Sequence, residues 1–151
     1  MRLNTKMRYG SRALIELARH YGQGPLSLSE IAEAQGISVK YLEALLASLR
    51  SAGLLLAERG PGGGYLLARP PDEITLRDAF VVLETPEPYV PCTTDPASCR
   101  RRYTCVTQRV WAEMYAASMR VLESTTLADL AAQGPCGEVE PEPARDGVAS
   151  T

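Results

Sequence analysis

The chain has 151 residues, 45% of them apolar, and its 16 Lys and Arg against 18 Asp and Glu leave a formal charge of −2. That length holds one domain with a real core, or a small domain plus an appendage. No apolar run approaches the roughly 20 residues of a membrane helix. The start, Met1-Arg2-Leu3-Asn4-Thr5-Lys6, runs into an amphipathic pattern with no apolar stretch of the signal-peptide type. A cytoplasmic protein without a membrane partner is expected. In that compartment the four cysteines point to metal binding or redox sensing rather than to structural disulfides. The charge is uneven: residues 1–70 carry nine Lys/Arg and five Asp/Glu, residues 71–151 seven and thirteen. A basic half joined to an acidic half suits a nucleic-acid reader with a control segment.

A first helix is expected over 6–21, with Leu14, Leu17, Ala18 and Tyr21 on one face and Gly22 and Gly24-Pro25 ending it. Ser27-Leu28-Ser29-Glu30 has capping-box form, so a second helix starts there. It turns Ile31, Ala32 and Ala34 inward and ends at Gly36. Ser38 caps a third helix with a Leu42, Leu45, Leu46, Leu49 stripe, closed by Gly53. Helices over 28–35 and 39–51 about a glycine turn form a helix-turn-helix pattern. An ordinary helical hairpin has the same pattern. The outer face of the third helix, with Lys40, Glu43, Ala44, Ala47 and Arg50, is small or polar near its start and can enter a major groove.

Leu54–Ala57 and Tyr65–Ala68 read as two strands about the turn Arg59-Gly60-Pro61-Gly62-Gly63-Gly64. A hairpin directly after a helix-turn-helix is a wing, so 54–68 completes a winged helix within a DNA-binding domain over 1–84. Glycines at the tip let backbone approach DNA closely, and Arg59 can reach a narrow minor groove or a phosphate. A phosphate-binding loop is disfavoured, since its Lys-Ser/Thr is missing and no helix follows. Thr75 begins another capped helix to about Glu84, anchored by Phe80, Val82 and Leu83.

Residues 85–105 form a proline-broken loop with Pro86, Pro88, Pro91 and Pro96, carrying Cys92, Cys99 and Cys105 at Cys-x6-Cys-x5-Cys spacing. Thiolates gathered on such a loop suggest a soft-metal or iron–sulfur site. Arg100-Arg101-Arg102 can stabilise thiolates or form a solvated basic loop. A long helix is expected over 106–122, with Val110, Met114, Ala117 and Val121 on one stripe flanked by Trp111 and Leu122. Such a helix has little of its own domain to pack on. A two-fold partner helix suits it, as does packing back on the first helix. A final helix over 127–132 closes the segment 106–132. Residues 133–151 are acidic, proline-rich and expected to be disordered.

Met1-Arg2-Leu3 with Lys6 and Arg8-Tyr9, Gly36-Ile37-Ser38, Tyr41-Leu42-Glu43 and Arg59-Gly60-Pro61-Gly62-Gly63-Gly64-Tyr65 resemble the Rrf-two family (Rrf2) of bacterial transcription regulators. The resemblance covers roughly residues 1–132 and is strongest at the glycine wing. It implies a mainly α fold with a small β-hairpin: a dimeric winged helix with a dimerisation helix. Within that family the IscR-type iron–sulfur regulators look nearest. That implies an iron–sulfur cluster on Cys92, Cys99 and Cys105, [2Fe–2S] favoured over [4Fe–4S]. It also implies DNA contacts from Ser38, Lys40, Tyr41, Glu43 and Ala44, with the wing residues Arg59, Gly60, Gly62 and Gly63. Glu43 can accept from the exocyclic amine of cytosine, or remain a solvated carboxylate.

The chain departs from its subfamilies at the fourth ligand. Where IscR-type regulators place a histidine it has Gln108; where nitric-oxide-sensing relatives place a carboxylate it has Arg8. Three thiolates leave a cluster short of a ligand, with Gln108, Cys136, His20 or an external thiol or water as candidates. A zinc site on Cys92, Cys99, Cys105 and Cys136 is the rival metal reading, though no short paired spacing supports it. The expected function is a homodimeric repressor on a promoter operator, controlled by its cluster and sensing iron–sulfur, redox or nitric oxide status. The alternative is a cluster-free regulator of the same fold, controlled by thiol oxidation, zinc or a partner such as a cysteine-metabolism enzyme. With one histidine and no nucleophile motif, neither an enzyme nor a small-molecule substrate is expected.

Overall fold

A computed structural model describes residues 3–84 and 90–134. Helix α1 (Thr5–Arg19) begins where Asn4, in extended conformation, accepts the Met7 N–H on its side-chain oxygen at 2.8 Å. The same residue ties the chain's first helix to its fourth. The Asn4 N–H and Nδ2 donate to the two Glu84 carboxylate oxygens at 2.6 and 2.7 Å, and Nδ2 also donates to the Leu83 carbonyl at 3.2 Å. Replacing Asn4 by alanine is expected to cost about 1–2 kcal/mol through loss of the cap, read as a lower urea midpoint. Leu14, Leu17 and Ala18 face the core as expected. Tyr21 does not: the helix ends at Arg19, Gly22 turns with φ +82°, and Tyr21 is left 46% exposed.

Helix α2 (Leu28–Gln35) starts on the expected capping box, Ser27 and Glu30 each bonding the other's backbone N–H. Its inward residues are Ile31, Ala32 and Gln35; Ala34, expected inside, is exposed. Spacing explains this, since positions i, i+1 and i+4 share a face and i+3 here falls at its edge. Buried Gln35 is satisfied by α1: its side-chain oxygen accepts from Arg12 Nε at 3.1 Å, and its Nε2 donates to Glu16 at 3.2 Å. Gly36, at φ +60°, takes the left-handed cap that lets the chain turn into α3 (Val39–Ser51). The four leucines of α3, Leu42, Leu45, Leu46 and Leu49, are all buried. Ala52 is its cap residue and Gly53, φ +77°, the left-handed one just beyond.

Strands β1 (Leu55–Glu58) and β2 (Gly64–Leu67) pair antiparallel, Leu55 opposite Leu67 and Glu58 opposite Gly64. Each lies one residue from its expected span. The hairpin is anchored by a third segment. Leu26 and Tyr65 exchange backbone hydrogen bonds at 2.9 and 2.7 Å. A Cβ on Gly64 would strike the Leu26 carbonyl, so glycine is required there for close approach rather than for a special φ.

Helix α4 (Leu76–Leu83) is capped by Thr75 with Asp78 in a second capping box, and buries Ala79, Phe80 and Leu83. Helix α5 (Gln108–Glu123) begins two residues later than expected and has no buried residue. Met119 and Leu122 rest against the core, while Val110, Met114 and Val121 are exposed. A 2.8 Å ion pair, Arg77–Glu123, joins α4 to α5 on the surface. Helix α6 (Leu127–Ala131) returns to the winged-helix core. Leu127 is fully buried in the cluster that holds Leu14 and Ile31, and its N–H donates to the Ile74 carbonyl at 2.9 Å. Pro86, Pro88, Cys136 and the tail from residue 135 lie outside the described residues. Among those described, no helix is long and apolar enough to cross a membrane.

Candidate nucleic-acid interface and cysteine loop

The second helix of the helix-turn-helix presents its N-terminal end outward. Ser38 is exposed and caps α3, its Oγ accepting the Tyr41 N–H at 3.3 Å. Lys40, Glu43 and Ala44 are exposed along the same face. Tyr41 is only half-buried, and its ring meets Tyr9 of α1 edge-on, centroids 6.0 Å apart at 83°. The Arg12 guanidinium lies over the Tyr9 ring, 5.7 Å from its centre. Part of the Tyr41 surface is thus spent on contact with α1, and only the remainder is free.

At the wing tip Arg59 is exposed, and the backbone folds tightly beneath it. Gly60 and Gly62 have φ of +92° and +74°, and the Gly63 N–H closes the turn on the Gly60 carbonyl at 3.0 Å. A Cβ on Gly63 would meet the Glu58 carbonyl. A bare glycine backbone with one arginine offers N–H groups and a planar cation to a phosphate or a narrow groove. With α3 packed against β1 at the base of the wing, helix and wing together can offer contacts to a groove and its flanking backbone.

The cysteine loop is more structured than its prolines suggested. Cys92 lies in a 3-10 turn, Pro91–Thr93, and Cys99 follows a second, Pro96–Ser98. Cys105 closes a third turn, its N–H donating to the Arg101 carbonyl at 2.9 Å. All three thiols are free and half-buried. They are not gathered: among the described residues no three His, Cys, Asp or Glu side chains come together to hold a metal ion. Each cysteine is held by its own local turn. By donor chemistry the set suits a soft metal or an iron–sulfur cluster.

The start of α5 is built toward the loop. The Cys105 Sγ lies 3.4 Å from the Thr107 hydroxyl. That hydroxyl foremost, then the backbone N–H groups of Thr107 and Gln108, with a smaller contribution from Arg101, hold the Cys105 thiol below its ordinary pKa. Gln108 faces the same way, its Nε2 donating to the Cys92 carbonyl at 3.3 Å. The residue at the expected fourth-ligand position thus clamps the loop to the helix. Arg8 is exposed on α1, and His20 lines a cavity of about 360 Å³ with Tyr21 and Tyr65. Among the described residues His20 has no two further His, Cys, Asp or Glu side chains about it that could hold a metal.

Comparison with known proteins decides the family. The model of the Rrf2 family, described as an iron-dependent transcriptional regulator, matches residues 3–133. The chain belongs to the Rrf2 family. It is 43% identical over 131 residues to the HTH-type transcriptional regulator CymR of Bacillus subtilis, covering 87% of this chain and 90% of that one. The solved structure of CymR, the global cysteine regulator of B. subtilis, superposes with a TM-score of 0.75 at 42% identity, covering 89% and 98%. The structure of T. potens IscR gives 0.72 at 41% identity, covering 88% of each chain. The Rrf2 winged helix, the DNA-binding regulator class and the exclusion of an enzyme all stand on these relatives. The sequence did not reveal the Asn4–Glu84 clasp, the Leu26 bridge or the Gln108 clamp. Each joins residues distant in the chain through backbone or amide groups, which leave no periodic signal.

Proposed function

We propose that this Rrf2 protein is a homodimeric repressor in the bacterial cytoplasm, whose binding to promoter DNA is set by an iron–sulfur cluster on Cys92, Cys99 and Cys105. The observation that carries the reading is the clamp of the cysteine loop to α5: Gln108 to the Cys92 carbonyl and Thr107 to the Cys105 thiol. These contacts give a change in the loop a route into α5, which is joined to α4 through Arg77 and Glu123. Val110, Met114 and Val121, exposed on α5, suit a second copy of this helix. The cluster, when bound, supplies redox and ligand-exchange chemistry at iron. The protein's own part is to offer three thiolates, with Cys105 already biased toward that form. The fourth position falls to Gln108, Cys136, His20 or an external thiol or water; a weak or external ligand there is one that small oxidants or nitric oxide can displace.

DNA contacts fall to Ser38, Lys40, Tyr41, Glu43 and Ala44 on α3 and to Arg59, Gly60, Gly62 and Gly63 on the wing. Arg59→Ala and Lys40→Ala are each expected to weaken binding to selected promoter DNA by a factor of about 5 to 150 where they meet a base, and more uniformly where they meet phosphate. The logarithm of the affinity should fall with that of salt by about 0.9 per phosphate neutralised. Wild-type affinity in both variants contradicts the assignment. A second reading is favoured by the lowered Cys105 thiol and the likeness to CymR. In it the chain carries no cluster and responds to oxidation of Cys105, or to a partner enzyme of cysteine metabolism.

A further inference from the structure

Val39, the first residue of α3, is 46% exposed. It belongs neither to the core nor to the side chains packed against it. Hydrophobic contact at a helix start is made by the residue before the cap with the fourth helical residue; here those are Ile37, which packs on the core, and Leu42, which is fully buried. A β-branched residue at an exposed helical position also disfavours the helix relative to alanine. Single exposed apolar residues are common, so the place decides. The N-terminal residues of this helix are those that meet base edges in a helix-turn-helix. Its neighbours are partly occupied, Ser38 Oγ by capping and the Tyr41 ring by Tyr9. The exposed helical side chains at this end are Val39, Lys40, Glu43 and Ala44. Lys40 and Glu43 carry charge; Val39 is the bulkiest group that can bury apolar surface. In the major groove one base edge offers an apolar partner, the 5-methyl group of thymine.

We infer that Val39 is a specificity-determining residue that reads the 5-methyl group of a thymine in each half-site. The inference rests on the DNA-binding reading above. The test uses the full chain to select its preferred duplex from randomised DNA, then replaces each thymine in turn by deoxyuridine, which removes only the methyl group. At one thymine position the replacement should weaken binding about fourfold, the worth of one buried methyl group. In Val39→Ala the same replacement should have a clearly smaller effect, since the shorter side chain reaches less of the methyl group. Alanine there raises helix propensity, so the variant folds. If every deoxyuridine is neutral for the wild type, or the loss persists undiminished in Val39→Ala, the assignment is overturned while DNA reading stands. If no sequence is enriched at all, both fall together.

Discussion

Leu127→Ala lowers the stability of the whole described domain by about 2–5 kcal/mol, although Leu127 belongs to the short last helix. The side chain is fully buried among α1 and the segment before α4, and α6 has only five residues, Leu127–Ala131. A helix that short does not persist without tertiary packing. Removing its anchor opens a cavity between α1 and the turn at Ile74, whose carbonyl accepts the Leu127 N–H. The loss should appear as one cooperative transition at lower urea concentration, with an unchanged slope. A separate early transition, with the winged helix intact, would show that α6 is an appendage.

Gly64→Ala should cost nearly as much DNA affinity as Arg59→Ala, without touching a DNA-facing side chain. The added Cβ would occupy the place of the Leu26 carbonyl, which is backbone and cannot swing aside. Relief requires breaking the Leu26–Tyr65 bridge or shifting β2, and with it the tip that carries Arg59. Overpacking of this kind costs about 1–3 kcal/mol in stability. The displaced arginine forfeits a contact worth about 1–3 kcal/mol of binding. Operator titrations of Gly64→Ala, Arg59→Ala and the double variant check this. The double variant should bind no more weakly than the weaker single one, because both remove the same contact.

Much of the fold was legible in the chain, because its helices obey local rules. The capping box at Ser27–Glu30 and the leucine stripe of α3 each set an element's place. The glycine wing was legible from composition. Errors fell where local pattern yields to tertiary geometry. Tyr21 continued a helical stripe past the point where α1 stops, and Ala34 gave its inward place to Gln35, which two α1 side chains satisfy. The cysteine loop was legible as donors and spacing. Its three separate turns were not, since a proline-initiated 3-10 turn is a matter of local hydrogen bonds such as Thr93 to Val90. Gln108 read as a missing ligand; its position against the Cys92 carbonyl makes it a structural clamp as well.

The most direct measurement is the operator affinity of protein purified without oxygen, before and after chelation of its metal, in the wild type and in Cys92→Ala, Cys99→Ala and Cys105→Ala. The account predicts sulfur-to-iron absorption bands in the wild type that the variants lack. It also predicts an affinity that changes roughly 5- to 150-fold on chelation, with no such change in the variants. A colourless wild-type protein without iron, or identical affinity before and after chelation, would contradict it.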